Sequence, residues 1–370
     1  MPSAKASVKN ILNQLDIKIN GTRDWDIQVH DEKFYSHVLA GGSLALGETY
    51  MDGWWSSKAP DRFLTKLLEA KIDQKINKFH LILPALKSKL LNLQKKSKAF
   101  QIGEKHYDIG NDLYKKMLDK RMIYSCGYWK NAKNLDKAQE AKLDLICKKM
   151  QIKPGMKILD IGCGWGGFLK FAAEKYKIRG IGITVSKEQA KLAKESCKGL
   201  PIKIKVQDYR DLDEKFDRII SVGMLEHVGY KNYKRYIRVV SRSLKPEGLF
   251  LLHTIGSEKT TKTNEPWYNK YIFPNYHLPS LKQITEATEN FMIIEDIHNF
   301  GPDYDKTLMA WYTNFTKNWK ALKGKYHERF YRMWAYYLLV SAATFRSRNS
   351  HLWQIVLSKG NNGKTYSSIR

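Results

Sequence analysis

Through the second half of the chain, short apolar runs rich in Ile, Leu and Val alternate with longer amphipathic stretches. The runs at 157–161, 179–184, 202–206, 216–222 and 249–255 each predict a buried strand. Between or before them, apolar positions recur every three or four residues over 135–150, 167–176, 186–197 and 231–244, the period of helices that cover a sheet. Alternation of this kind predicts an α/β fold with a parallel, doubly wound sheet. Two late apolar segments, 292–297 and 352–357, complete it, with a helical insertion over 306–345 between them that is rich in Trp and Tyr.

The pattern changes near residue 100. An Asn20-Gly21 turn, a short helix over 31–39 and the run Ala40-Gly41-Gly42-Ser43 predict a small, mainly helical N-terminal domain over 1–98, leaving 99–370 for the α/β domain. Gly53-Trp54-Trp55 reads as core. Over 71–98, eight lysines stand against the single acid Asp73, interleaved with Ile72, Ile76, Phe79, Leu83, Leu86, Leu90 and Leu93 at helical spacing. A basic amphipathic helix, divided at Pro84, suits an anionic bilayer surface. Packing of its apolar face on a neighbouring domain, with the lysines solvated, is the competing reading.

A net charge of +27 calls for an anionic partner, either nucleic acid or a membrane surface. No aromatic RNA-binding signature and no Asn-Pro-Pro-Tyr-like motif supports nucleic acid. Cys126, Cys147, Cys163 and Cys197 show neither a Cys-x-x-Cys pair nor zinc spacing, so no metal is expected. Residues 1–20 lack an apolar signal core, which points to the cytoplasm. The longest nearly apolar run, 333–345, falls short of the roughly 20 residues that cross a bilayer, so membrane contact should be peripheral.

The strand at 157–161 runs straight into Gly162-Cys163-Gly164-Trp165-Gly166-Gly167 and then a helix, a phosphate- or cofactor-binding turn. Gly162, Gly164 and Gly167 alone would admit a nicotinamide dinucleotide. That cofactor needs an acid at the end of the next strand, about 20 residues on; here that strand ends Gly182-Ile183-Thr184. The carboxylates stand instead at Asp160, before the turn, and at Asp208, after the third strand. This favours S-adenosylmethionine (SAM), a sulfonium cation that carboxylates and aromatic faces attract. Gly162, Gly164 and Gly166 would let the backbone approach its amino-acid end, where a Cβ would collide. Asp160 is expected to hold the turn or the methionyl ammonium, Asp208 the adenine amino group, and Gln207 a second polar contact. Taken singly, an acid after a strand is otherwise a helix cap.

Several blocks now align with one family. GEKHYD at 103–108, YSCGYW at 124–129, GCGWGG at 162–167, EHVG at 226–229, LHTIG at 252–256, WYNKYIFPN at 267–275, MAWY at 309–312 and GETYMDGWW at 47–55 resemble the bacterial cyclopropane-fatty-acyl-phospholipid synthases, over nearly the whole chain. The resemblance implies a Rossmann-like class I SAM methyltransferase sheet with helical insertions. It also implies transfer of a methyl group to a cis double bond of a phospholipid acyl chain, with ring closure assisted by bicarbonate. The N-terminal domain favours the phospholipid-acting branch over the mycolic acid branch.

Carried across by motif, the bicarbonate ligands are Cys126, Glu226, His253, Ile255 and Tyr312. The cofactor set is Tyr124, Ser125, Asp160, Gly162, Gly164, Gly166, Thr184, Gln189, Gln207 and Asp208. Trp267, Tyr271 and Phe273 are candidates for an acyl-chain tunnel, with Trp311 and Trp319 behind them; plain core is the competing reading. Gly127 reads as a tolerant position. The implied partners are an unsaturated phospholipid and an anionic bilayer at the inner face of the cell membrane, with a homodimer left open. Three rivals stand beside this reading: a fatty-acyl C-methyltransferase that leaves a methyl branch, a nucleic-acid methyltransferase, and a peripheral lipid-binding protein without activity.

Overall fold

The computed structural model describes residues 3–71, 110–261, 263–360 and 365–370, over which helices and strands are numbered along the chain. These residues gather into two compact units. The first draws on 3–71, 263–274 and 304–350, the second on 110–261, 275–303 and the described residues from 351 onward. The expected basic helix beyond Lys71, the 103–108 block and the boundary at 98 lie outside the described residues.

The second unit is built on seven strands: β3 (Lys157–Ile161), β4 (Arg179–Thr184), β5 (Ile202–Val206), β6 (Phe216–Val222), β7 (Leu244–Ser257), β8 (Ile293–Asn299) and β9 (Ser350–Ser358). They hydrogen-bond in the order β5-β4-β3-β6-β7-β9-β8. From β5 through β7 the neighbours are parallel, while β8 and β9 pair antiparallel. The chain moves outward from β3 in one direction and resumes on its other side with β6, so the carboxyl ends of β3 and β6 flank a crevice.

Side chains alternate across this sheet, and because helices cover both faces its inner strands β3, β4 and β6 are apolar on both, while the edge strands β5 and β8 carry exposed polar positions. Leu159, Ile161, Ile181 and Ile219 face a core shared with Tyr236 and Ile237 of α9 (Tyr233–Ser243) and Ile284 of α11 (Leu281–Thr288). Ile158, Ile204 and Ile220 face the other core. There they meet Leu143 and Ile146 of α5 (Leu135–Lys149), Phe168 and Ala172 of α6 (Gly167–Tyr176), and Ala190 of α7 (Lys187–Ser196). Asp160 shares the face of Ile158, towards α5. The remaining helices of this unit are α4 (Asn111–Met117) and α8 (Leu225–Val228).

The first four strands of the sheet coincide with the apolar runs read from sequence, whereas β7 begins at Leu244 instead of 249. Lys245-Pro246-Glu247-Gly248 looks like a turn, but in the structure it is taken up as a register shift opposite Phe216 and Arg218.

The first unit holds α1 (Ala4–Gln14), α2 (Lys33–Met51), α3 (Pro60–Glu69), α10 (Pro266–Tyr271) and α13 (Glu328–Arg346), with most of α12 (Pro302–Leu322) and the small pair β1 (Gln28–Val29) and β2 (Trp55–Ser56). The expected short helix at 31–39 is followed by a second helical segment that runs to Met51, the two parted at Gly42, whose backbone is non-helical (φ 56°, ψ −134°). The insertion thus forms two helices, and α13 packs on α2 and α3. Arg346 fixes that packing with a two-pronged pair to Asp305 and a third bond to Asp61 at 2.7 Å. Trp267 is buried here, against Tyr336 and so close to Gly47 that a Cβ there would stand 2.4 Å from its ring.

Candidate active site

The glycine turn is tied to the sheet where β3 ends. The N–H groups of Gly162 and Cys163 both donate to Ile183 O, at 2.9 and 3.0 Å, and Gly162, Gly164 and Gly166 take φ of 81°, 52° and 80°. Such positive φ is what glycine alone adopts freely. The turn opens on a cavity of about 190 Å³ at the crevice between β3 and β6. Nine of the ten expected cofactor residues line it, and Gly166 does not. The reason for Gly166 differs from the expected one: a Cβ there would meet Cys197 Sγ at 3.1 Å and Ala193 at 3.3 Å, so its constraint is packing on α7. A Cβ on Gly164 would meet nothing within 4 Å, and one on Gly162 would press on Met224 at 3.0 Å.

Charge inside the cavity is set by burial. The Asp160 carboxyl is buried and pushed up to about 7, with the nearby Lys142 opposing the shift. Lys142, on α5, is itself buried and pushed down to about 8 by desolvation; its Nζ donates to Ser125 Oγ at 2.8 Å. Asp208 has both oxygens engaged by the Arg210 guanidinium at 2.7 Å and also accepts the Arg210 N–H, capping the turn Tyr209–Asp211. Capping and cavity lining therefore coexist in one carboxylate. Thr184 Oγ1 donates to Gln189 Oε1 at 2.9 Å, and Gln207 Nε2 donates to Asp211 O. Tyr124 sets its ring edge against Tyr114, which meets Trp165 of the turn.

A second polar cluster forms beyond β6, where Gly223 (φ 63°) turns the chain into α8. Glu226 is buried. Its Oε1 accepts the Ile255 N–H at 2.7 Å, and its Oε2 has no hydrogen-bond partner among the described residues. Burial pushes this carboxyl up to about 7, opposed by the backbone N–H groups of Glu226 and Ile255 and by the Thr254 hydroxyl. His253 stands two residues back on the same face of β7, with Nδ1 3.3 Å from Gln354 Nε2 and a buried Nε2 that has no partner among the described residues. Burial, reinforced by Lys142 and Lys149, holds its pKa well below 6.5, so the ring is neutral near pH 7.

Phe300 sets ring edges against both His253 and Tyr128, linking this cluster to the 124–129 segment. Cys126 in that segment is buried, its Sγ donating to Gly127 O at 3.1 Å. Tyr312 belongs to the first unit, half-buried on α12, where burial raises its hydroxyl pKa. Gly127 proves intolerant: a Cβ would lie 2.9 Å from Ala138 Cβ, because the Tyr128 N–H donates to Ala138 O and draws the segment onto α5.

Sequence reasoning passed over Lys142, Gln139 and His227. Gln139 is wholly buried and donates to Ser125 O at 2.7 Å, and His227 lines the cavity with its pKa lowered to about 4 by burial. A signal for the first two existed: Gln139, Lys142, Ile146 and Lys149 fall at helical spacing on the apolar stripe of α5.

A parallel sheet reversed beside β3, with a glycine turn, Asp160 and Asp208 around one cavity, defines a class I SAM-dependent methyltransferase. The chain belongs to the mycolic acid cyclopropane synthetase family, whose model matches residues 94–355. It is 52% identical over 351 residues to the cyclopropane-fatty-acyl-phospholipid synthase of Escherichia coli (strain K12), a match spanning 95% of this chain and 92% of that protein. The crystal structure of mycolic acid cyclopropane synthase CmaA1 complexed with SAH and CTAB is similar with a TM-score of 0.66 and 30% identity, over 70% of this chain and 98% of that one. The cyclopropane synthase MmaA2 from Mycobacterium tuberculosis gives a TM-score of 0.68 at 27% identity, over 73% of this chain and 100% of that one.

Proposed function

We propose that this enzyme adds the SAM methyl group to the cis double bond of an unsaturated acyl chain in a membrane phospholipid and closes a cyclopropane ring. The observation that carries the reading is the buried pair of unsatisfied atoms, Glu226 Oε2 and His253 Nε2, beyond the cofactor cavity. Each costs about 1–3 kcal/mol if left bare, so the site is suited to a small guest that both donates and accepts.

An alkene needs no proton removed before it attacks a sulfonium methyl, so catalysis of that step rests on alignment and exclusion of water. The C–S bond breaks, a C–C bond forms, and the neighbouring carbon is left cationic. Closure of the ring then requires one proton to leave the added methyl group. Cys126, Glu226, His253 and Ile255 are proposed to hold bicarbonate, which when bound would supply the base for that proton. Glu226 would orient it through Oε2, while its Oε1 is held by the Ile255 N–H. Tyr312 carries the ligand role that the family resemblance implies. Asp160, Thr184, Gln189, Gln207 and Asp208 are proposed to hold SAM.

The lipid is proposed to be met at an anionic bilayer, at the cytoplasmic face of the cell membrane. The net charge of +27 supports this, and no helix among the described residues is long and apolar enough to cross a membrane. Incubation of cis-unsaturated phospholipid vesicles with SAM should give an acyl chain with one added CH2 and no double bond, and depletion of bicarbonate should slow it. A methyl-branched or still-unsaturated product would instead establish the branching reaction.

A further inference from the structure

Lys142 is buried beside a cavity whose proposed occupant is itself a cation. It lies on α5, its Nζ makes one hydrogen bond among the described residues, to Ser125 Oγ at 2.8 Å, and it lines the same cavity as Asp160. Gln139, one turn earlier, holds Ser125 O from the same helix at 2.7 Å. Ser125 is thus gripped by two buried side chains, between Tyr124 in the cavity wall and Cys126. The titratable groups facing Lys142 are Asp119, Cys126, Asp160 and His253. Asp119 is committed to the N–H groups of Arg121 and Ile123, and His253 is neutral. Asp160 is the one facing carboxyl that also lines the cavity, and a cationic cofactor would compete for it.

We propose that Lys142 is a positioning residue that binds SAM with loss of its own proton: the ammonium of the free enzyme gives a proton to solvent as the sulfonium enters, and the neutral amine keeps its hold on Ser125. The balance is one proton released and one sulfonium taken up, so the charge inside the cavity stays level. The amine can still bond the Ser125 hydroxyl, now as acceptor, so the wall need not shift. The pKa of about 8 makes the step accessible near neutrality, since one unit corresponds to a tenfold change in equilibrium. The inference rests on the reading of this cavity as the SAM site.

S-adenosylhomocysteine (SAH) separates the two. It keeps the α-ammonium but its sulfur is uncharged, so a difference between the two ligands comes from the sulfonium acting on Lys142 or on Asp160, and Lys142→Met tells these apart. Calorimetric titration of the whole protein in buffers of differing ionisation enthalpy should show SAM releasing about one proton more than SAH at pH 7, and their affinity ratio should move towards SAM by about tenfold per unit as pH is raised towards 8. Lys142→Met should abolish the difference. Lys142→Arg, a permanent cation, should lower the SAM-to-SAH affinity ratio by roughly tenfold or more, whatever its effect on either ligand alone. Equal proton release for SAM and SAH in the unsubstituted protein, or a difference that survives Lys142→Met, overturns the proposal while leaving the cofactor site intact. Failure of both ligands to bind overturns the cofactor reading with it.

Discussion

At the scale of single residues, the site holds groups that weaken the fold they belong to. Glu226 has an ordinary carboxyl pKa of 4.5 when exposed and about 7 when folded, so folding favours its protonated form. The stability it allows is fully present below about pH 4.5 and is lost as pH rises through about 7, by roughly 3 kcal/mol. Glu226→Gln keeps an acceptor for the Ile255 N–H and removes the charge. The variant should melt with the parent at pH 5 and a few degrees above it at pH 8, in thermal scans without ligand. It should also lose nearly all turnover on vesicles; unchanged turnover would end the role proposed for Glu226. The same carboxyl would then be costly at rest and required at work.

Among helices and strands, close backbone approach sets the tolerances. A Cβ at Gly256 would fall 1.9 Å from the Trp353 ring, across from β7 to β9. Gly256→Ala should destabilise the second unit by about 1–3 kcal/mol or more, and Trp353→Leu in the same chain should recover part of it, read as a double-mutant cycle in denaturant. Gly127→Ala should cost a similar amount against Ala138 and lower the affinity for SAM by displacing Ser125.

What could be read in advance follows the same physics. β3, β4 and β6 are short runs buried on both faces, and burial leaves its mark in composition, whereas β5 at the edge of the sheet buries only Ile204. The start of β7 was hidden because Pro246 and Gly248 signal a turn that the sheet absorbs as a bulge, and the glycine run marked the break at Gly42 but not the helical segment that follows it to Met51. Asp160 and Asp208 were legible by their register against the glycine turn. Lys142 and Gln139 left only a weak mark, their spacing on the apolar stripe of α5, because a lysine on a helix is ordinarily solvated and the packed neighbours are what make the burial plain.

On the scale of the whole chain, the first unit is assembled from three separated stretches, and its α13 arrives from far along the sequence to meet α2 and α3. Sequence periodicity reports helices one at a time and carries no record of such meetings. Charge is the other global property. If the proposed membrane partner is right, replacing Lys87, Lys89, Lys95 and Lys96 by Gln should weaken binding to anionic vesicles by about tenfold or more at low salt, and little at high salt, in sedimentation assays. Those lysines lie outside the described residues, so this test concerns the sequence alone.

The place of β9 has a consequence for how the chain comes into being. It lies between β7 and β8, although both precede it by many residues. During synthesis, β7 and β8 therefore leave the ribosome with facing edges open and nothing to join them until the segment from Ser350 emerges. Every nascent chain passes through a stage with unpaired strand edges that invite pairing with another chain. A stall before Ser350 leaves β3 to β8 made but the sheet unsealed between β7 and β8.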